Sequence, residues 1–124
     1  MNLAVLEGSF SVCRLPGDAP VPTAVDGPFW SLVRTRDEVS VVCPVGSEPA
    51  DARIEAPWKV FVVEGQLDFG LTGVLAALAT PLAEANVSIF AISTYDTDYV
   101  LVHAAALERA VEALRAAGHT VHAG

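Results

Sequence analysis

The sequence is poor in the residues that most enzyme and metal chemistry requires. Among its 124 residues it has two cysteines, three histidines and a single lysine. Cys13 and Cys43 form no CxxC pair, and the histidines have no zinc-type spacing to them. GxSxG, P-loop and GxGxxG motifs are absent from the sequence. We therefore expect no catalysis, no metal and no cofactor, and we predict a cytoplasmic protein with two plain thiols.

Long apolar runs and positive charge are scarce as well. Although 52% of the residues are apolar, no run reaches the ~18 residues that span a membrane. The first residues lack the basic region of a secretory signal. Fifteen acidic residues against seven basic ones give a net charge of −8, which disfavours contact with a phosphate backbone. We expect a folded protein whose partners are neither nucleic acid nor membrane.

What the sequence does contain is a regular alternation in its second half. Helical spacing of apolar residues covers 71–86 and 105–117, with Pro81 inside the first segment and Asn86 and Gly118 as stop signals. Strand-like runs cover the segments 58–64, 88–94, 98–103 and 119–122. The resulting order, βαββαβ, predicts an α+β fold of the ferredoxin-like class.

The first half of the sequence has the pattern of a reduced copy of the second. Residues 31–44 repeat the strand, turn and strand of residues 91–104, and seven of the eight prolines lie before residue 58. Prolines exclude a regular helix at 16–22, and the segment 47–53 allows about two helical turns. We predict two tandem units, 1–57 and 58–124, with the first degenerate.

Two stretches carry a family resemblance. LDFGLTGVL at 67–75 and SIFAISTYDTDYVLV at 88–102 resemble the ACT domain family. Within that family, they are similar to the tandem-ACT branch of animal arginine sensors and small bacterial amino-acid-binding proteins. The resemblance implies two ACT-like units with an amino acid held between them by a helix N-terminus and a β-turn. It also implies a homodimer with a sensing or regulatory role, which can act on a separate enzyme chain.

The candidate ligand site has two parts with opposite chemistry. Free N–H groups at the start of a glycine-flanked helix suit a carboxylate, and the turn at 94–98 offers a hydroxyl and a carboxylate to an ammonium group. The resemblance gives ligand contacts to Thr94, Tyr95 and Asp98. Two alternatives remain open. Gly70 and Gly73 can serve only to form a tight turn, and the turn at 94–98 can be a solvated hairpin turn that binds no ligand. The predicted ligand-binding residues are Phe69, Gly70, Leu71, Thr72, Gly73, Val74, Ile92, Ser93, Thr94, Tyr95, Asp98 and Ser31.

These observations predict a non-catalytic protein that binds an amino acid. The charge of −8 favours a zwitterionic or cationic ligand over a free anion. The alternative function is a structural module that dimerises through its sheet edges and binds no ligand.

Overall fold

The computed structural model describes residues 1–21, 26–65, 67 and 72–123, which form two compact units. The terminal unit comprises Met1–Glu7 and Lys59–Gly124, and the inserted unit comprises Gly8–Trp58. The strands are β1 Asn2–Val5, β2 Phe10–Pro16, β3 Ser31–Arg34, β4 Glu38–Pro44, β5 Arg53–Val63, β6 Ile89–Ser93, β7 Asp98–His103 and β8 Thr120–Ala123. The helices are α1 Val74–Glu84 and α2 Leu107–Ala116, and a short 3₁₀ turn, Ala104–Ala106, leads into α2.

The terminal unit confirms the predicted ferredoxin-like α+β fold. Its elements β5, α1, β6, β7, α2 and β8 follow the predicted order, and each strand boundary from β6 onward lies within one residue of the prediction. β6 pairs antiparallel with β7, and β7 pairs with β5. α1 begins at Val74 rather than at residue 71, and residues 68–71 lie outside the described residues.

The first strand of the chain is part of the same sheet. β1 lies between β5, to which it is antiparallel, and β8, to which it is parallel. Leu3 is opposite Val63 on one side and Val121 on the other, and all three side chains belong to the core of this unit. The division into ACT-like units at residue 57 stays a prediction, but these pairings tie residues 2–5 to the C-terminal strands.

Both helices bury one face on this sheet. Leu78 and Leu82 of α1 and Ala110 and Leu114 of α2 are each at most 1% exposed. Burial of a leucine side chain stabilises a fold by about 1.5–3 kcal/mol. The sheet side of the core consists of Leu3, Phe61, Val63, Val100, Val102 and Val121. The spacing of these helical leucines therefore fixes which face of α1 and α2 is turned toward the strands.

The helix stops follow the predicted signals. Asn86 and Gly118 adopt left-handed backbone angles (φ 60° and φ 96°) directly after the last helical turns. The next amide then reaches back to a carbonyl five residues earlier, 2.9 Å from Val87 to Leu82 and 3.1 Å from His119 to Leu114. These are Schellman ends, in which a residue with positive φ lets the chain satisfy the last free carbonyls.

The inserted unit consists of strands and turns in the described residues. β2 pairs antiparallel with β4 and with the first part of β5, and β3 pairs antiparallel with β4. One cluster of its core consists of Cys13, Leu15, Val39, Val41 and Cys43. Burial raises the pKa of the Cys13 thiol to about 12 and also raises that of Cys43. Both thiols are free and stay protonated at neutral pH, as expected for inert core cysteines.

No helix forms at 47–53, where the sequence allows about two turns. The segment forms turns, with Asp51 in a left-handed conformation (φ 65°) that ends any helix there. Glu48 folds back instead and accepts hydrogen bonds from the hydroxyl of Ser11 (2.5 Å) and the amide of Gly46 (2.9 Å). Ser11 is fully buried, so its hydroxyl requires this acceptor. The hydrogen bond from Ser11 is the main reason that the pKa of Glu48 lies below its ordinary value.

We predict that Glu48 contributes a pH-dependent part of the stability. Because the folded-state pKa of Glu48 is lowered, its contribution is present above the unfolded pKa and is lost as pH falls through the folded pKa. Glu48→Gln should lower the free energy of unfolding by about 1 kcal/mol at pH 7. Urea denaturation between pH 7 and pH 3 should show the difference from wild type shrinking in acid. The exposed Glu7→Gln is the control, and a difference that does not change with pH would contradict the prediction.

Candidate ligand site

The hairpin between β6 and β7 is closed by Thr94. Its amide donates to the carbonyl of Thr97 (2.8 Å), and its hydroxyl donates to the same carbonyl (3.1 Å). The same hydroxyl accepts from the Thr97 amide at 3.2 Å. Thr94 was predicted to contact the ligand through this hydroxyl, but the hydroxyl proton is already used within the turn. The side chain of Thr94 therefore shapes the turn, and its ligand contact stays a prediction.

Thr97 anchors this turn to the end of β5. Its hydroxyl donates to the carbonyl of Val63 at 2.6 Å, and the residue is 9% exposed. One residue earlier, the carbonyl of Asp96 accepts from the amide of Leu67 at 2.7 Å. The turn thus contacts both the end of β5 and Leu67. Thr97 was not among the predicted site residues, because its partner is a main-chain carbonyl 34 positions away and no local pattern signals it.

A serine and a carboxylate face each other in the last strand pair before the turn. Ser93 and Asp98 are paired across β6 and β7, and the Ser93 hydroxyl donates to Asp98 Oδ1 at 2.6 Å. The second oxygen of Asp98 has no hydrogen bond to any described residue. Ser93 is exposed and Asp98 is half-buried, so a ligand can approach this carboxylate. These are two of the predicted site residues, and the fold brings them into contact.

The other predicted residues of the hairpin lie on either side of this pair. Ile92 is half-buried opposite Tyr99, while Tyr95 lies in the turn with 75% of its surface exposed. Ser31 begins β3 in the inserted unit, half-buried and opposite Val42. The contribution of Ser31 to a ligand cleft stays a prediction.

The start of α1 has the properties of an anion-binding helix end. Gly73 precedes the helix with φ 75°, and no described side chain caps the first turn. The first turn also has no acidic residue, so its free N–H groups and the positive end of the helix dipole are not compensated there. Thr72 and Gly73 are exposed and Val74 is half-buried. The predicted residues Phe69, Gly70 and Leu71 lie outside the described residues.

The charges near the hairpin are acidic. Glu64 follows the turn anchor at Val63, and Asp96 and Asp98 lie in and beside the turn. His122 contacts Glu64, and a hydrogen bond to the Ala123 carbonyl together with this contact raises the pKa of His122. Both arginines of the terminal unit are engaged elsewhere, Arg109 with carbonyls at the end of α1 and Arg115 with that of Val121.

The described part of the chain offers neither a metal site nor a membrane-spanning helix. Within it, no three His, Cys, Asp or Glu side chains are arranged to hold a metal ion, and neither helix is long and apolar enough to cross a membrane. A cavity of about 330 Å³ lies along α2, apart from the predicted site residues. It is lined by Leu107, Glu108, Val111, Glu112 and Arg115.

We predict that Thr97 holds the hairpin in place through its single buried hydrogen bond. Thr97→Val keeps the shape of the side chain but leaves the Val63 carbonyl without this donor, and should lower the free energy of unfolding by about 1–3 kcal/mol. Thr97→Ser keeps the hydroxyl and should recover most of that loss in urea denaturation. Equal destabilisation by valine and serine would contradict the role of the hydroxyl.

Comparisons with known proteins identify the family of this chain. A model of the ACT domain family matches residues 53–116, which is more than half of the chain, and a separate N-terminal domain model matches residues 8–51. The human protein CASTOR3P is 32% identical over 89 residues, covering 60% of this chain and 53% of the human protein. The chain therefore spans about half the length of that relative.

Solved structures share the fold over nearly the whole chain. The Agobacterium tumefaciens protein Atu0741 has 36% identity and a TM-score of 0.88, covering 97% of this chain and 90% of that one. The regulatory subunit of aspartate kinase from Thermus flavus has a TM-score of 0.67 at 13% identity, covering 94% of this chain and 97% of that subunit. The second likeness concerns the fold alone.

Proposed function

We propose that this chain, which belongs to the ACT domain family, binds a free amino acid without converting it and acts in sensing or regulation. The observation that carries the proposal is the anchoring of the β6–β7 turn to the end of β5 through Thr97 and Leu67. Asp98 follows this turn directly, and α1 begins seven residues after Leu67. This contact supports the proposal that the hairpin and the start of α1 form the two parts of one site.

Each charged group of an amino acid has a suitable partner at this end. The ligand carboxylate fits the uncapped amides in the first turn of α1, where the helix dipole favours an anion. The ligand ammonium fits the second oxygen of Asp98, whose other oxygen is held by Ser93. Glu64 and Asp96 add negative charge, which favours a zwitterionic or cationic ligand over a dicarboxylate.

The regulatory role is inferred from the family and from the aspartate kinase regulatory subunit that shares the fold. Among the described residues no three His, Cys, Asp or Glu side chains are arranged to hold a metal ion, and binding alone accounts for the groups of the site. The partner that we propose for this role is a separate enzyme chain. The placement of the ligand between two ACT-like units, the homodimer and the cytoplasmic location stay predictions.

We predict that one amino acid, or a chemically narrow group, stabilises the protein. A ligand at a hundredfold excess over its Kd contributes about 2.7 kcal/mol, which corresponds to a rise of about 10 °C in Tm for a chain of this size. Differential scanning fluorimetry against the twenty amino acids should reveal it, and calorimetry should give the Kd. A flat response across the panel at millimolar concentration would contradict the proposed function.

Asp98→Asn tests whether the charge of this side chain is needed for binding, because asparagine has nearly the same shape without the charge. The amide keeps an oxygen that can accept from Ser93, but it loses the charge that the ligand ammonium requires. We predict a Kd about 10- to 100-fold higher, because hydrogen bonds to charged groups contribute about 1.5–3 kcal/mol. Asp37→Asn, in the β3–β4 turn of the inserted unit, is the matched control and should leave the Kd unchanged. Unaltered binding by Asp98→Asn would exclude this carboxylate from the site.

A specific observation supports the alternative of a ligand-free dimerisation module. Among the described strands β6 pairs only with β7, and its sequence IFAIS carries no charge that would discourage pairing with another strand. Light scattering over a concentration series distinguishes the two functions. A stable dimer combined with a flat amino-acid panel would favour the module, whereas ligand-dependent stabilisation would favour sensing.

A further inference from the structure

Pro81 interrupts the hydrogen-bond ladder of α1 at one defined place. In an α-helix each N–H donates to the carbonyl four residues earlier, so residue 81 is the donor that the carbonyl of Ala77 requires. Proline has no N–H, and its ring displaces that same carbonyl. α1 nevertheless continues through Pro81 to Glu84. The Ala77 carbonyl, at the end of the first helical turn, is therefore left without its intrahelical partner.

His119 supplies the missing donor from outside the helix. Its Nε2 lies 2.9 Å from the Ala77 carbonyl oxygen. Because a carbonyl can only accept, Nε2 carries the hydrogen, and Nδ1 is left to accept from the amino group of Met1 at 3.1 Å. The backbone of His119 is itself fixed, since its amide closes the Schellman end of α2 on Leu114. The imidazole therefore links the end of α2 to the first turn of α1.

We propose that His119 is a positioning residue for the ligand site. Its hydrogen bond replaces the one that Pro81 removes, and it holds residues 74–77 of α1 in place relative to β8. These residues carry the amides that the proposed function assigns to the ligand carboxylate, so the effect on binding rests on that function. The hydrogen bond and its effect on α1 do not depend on any ligand.

A double-mutant cycle between Pro81 and His119 tests the hydrogen-bond replacement. In the natural sequence, His119→Ala should raise the equilibrium constant for unfolding about tenfold, the effect expected for one lost hydrogen bond. In a Pro81→Ala background the new N–H at residue 81 can donate to the Ala77 carbonyl. His119→Ala should then change the equilibrium constant for unfolding by less than about twofold. The same fold-change in both backgrounds would overturn the proposal.

Amide hydrogen exchange gives a local readout that a general loss of stability would not reproduce. His119→Ala should accelerate exchange at the amides of Ala77 and Leu78 about tenfold more than at core amides of β7. His119→Gln can present a side-chain N–H near the position of Nε2 and should restore protection, whereas the shorter His119→Asn should not. Uniform acceleration across the unit, or rescue by neither variant, would contradict a positioning role.

The third measurement is the Kd of the amino acid that the panel of twenty identifies. Its Kd should rise about tenfold in His119→Ala and return toward the natural value in His119→Gln. Asp37→Asn in the β3–β4 turn is again the control and should leave the Kd unchanged. An unchanged Kd in His119→Ala would overturn the link to the ligand site. If no amino acid binds, the proposed function and this link fail, while the double-mutant cycle still decides the role of His119 in α1.

Discussion

The architecture of the terminal unit depends on the burial of β1 between β5 and β8. Leu3 is fully buried, and its row across the sheet continues through Val63 on one side and Val121 on the other. Val63 is also the residue whose carbonyl receives the hydroxyl of Thr97, and the segment entering β8 carries His119. This row of apolar side chains thus fixes the end of β5, to which the hairpin is anchored, and β8, whose preceding residue His119 contacts α1.

The sequence predicted the elements that local signals define. β7 has the predicted bounds, and the two helices end where Asn86 and Gly118 allow a left-handed residue, because turn and capping preferences act over a few neighbouring positions. The position of β1 was not predicted, since strand pairing between residues 2–5 and two strands more than 50 residues away leaves no local pattern. The segment 47–53, where the sequence allows about two helical turns, forms turns instead, and its Glu48 carboxylate accepts from the buried hydroxyl of Ser11, a contact that no local pattern predicts.

The same distinction applies to the candidate site. The pairing of Ser93 with Asp98 follows from a hairpin whose turn was visible in the sequence, and their hydrogen bond follows from that register. The ligand contacts predicted for Thr94 and Tyr95 come from the family resemblance and not from periodicity. Thr97 was not predicted, because its hydroxyl donates to a carbonyl on another strand and no local pattern indicates this contact. Spacing can identify polar side chains in a turn, but it cannot tell which of them face inward.

A site for a small zwitterion benefits from groups that are held in place before the ligand arrives. Preorganisation raises affinity because the entropy of ordering the protein is then not lost on binding. The hairpin meets this requirement through main-chain anchors at Val63 and Leu67. α1 has a weaker ladder at its amino end, since Pro81 cannot donate to Ala77, and it gains a tertiary hydrogen bond from His119 instead. A hydrogen bond from a neighbouring element stabilises the helical conformation of the first turn and also fixes its position. Binding of a ligand carboxylate by the amides of this turn requires both the conformation and the position.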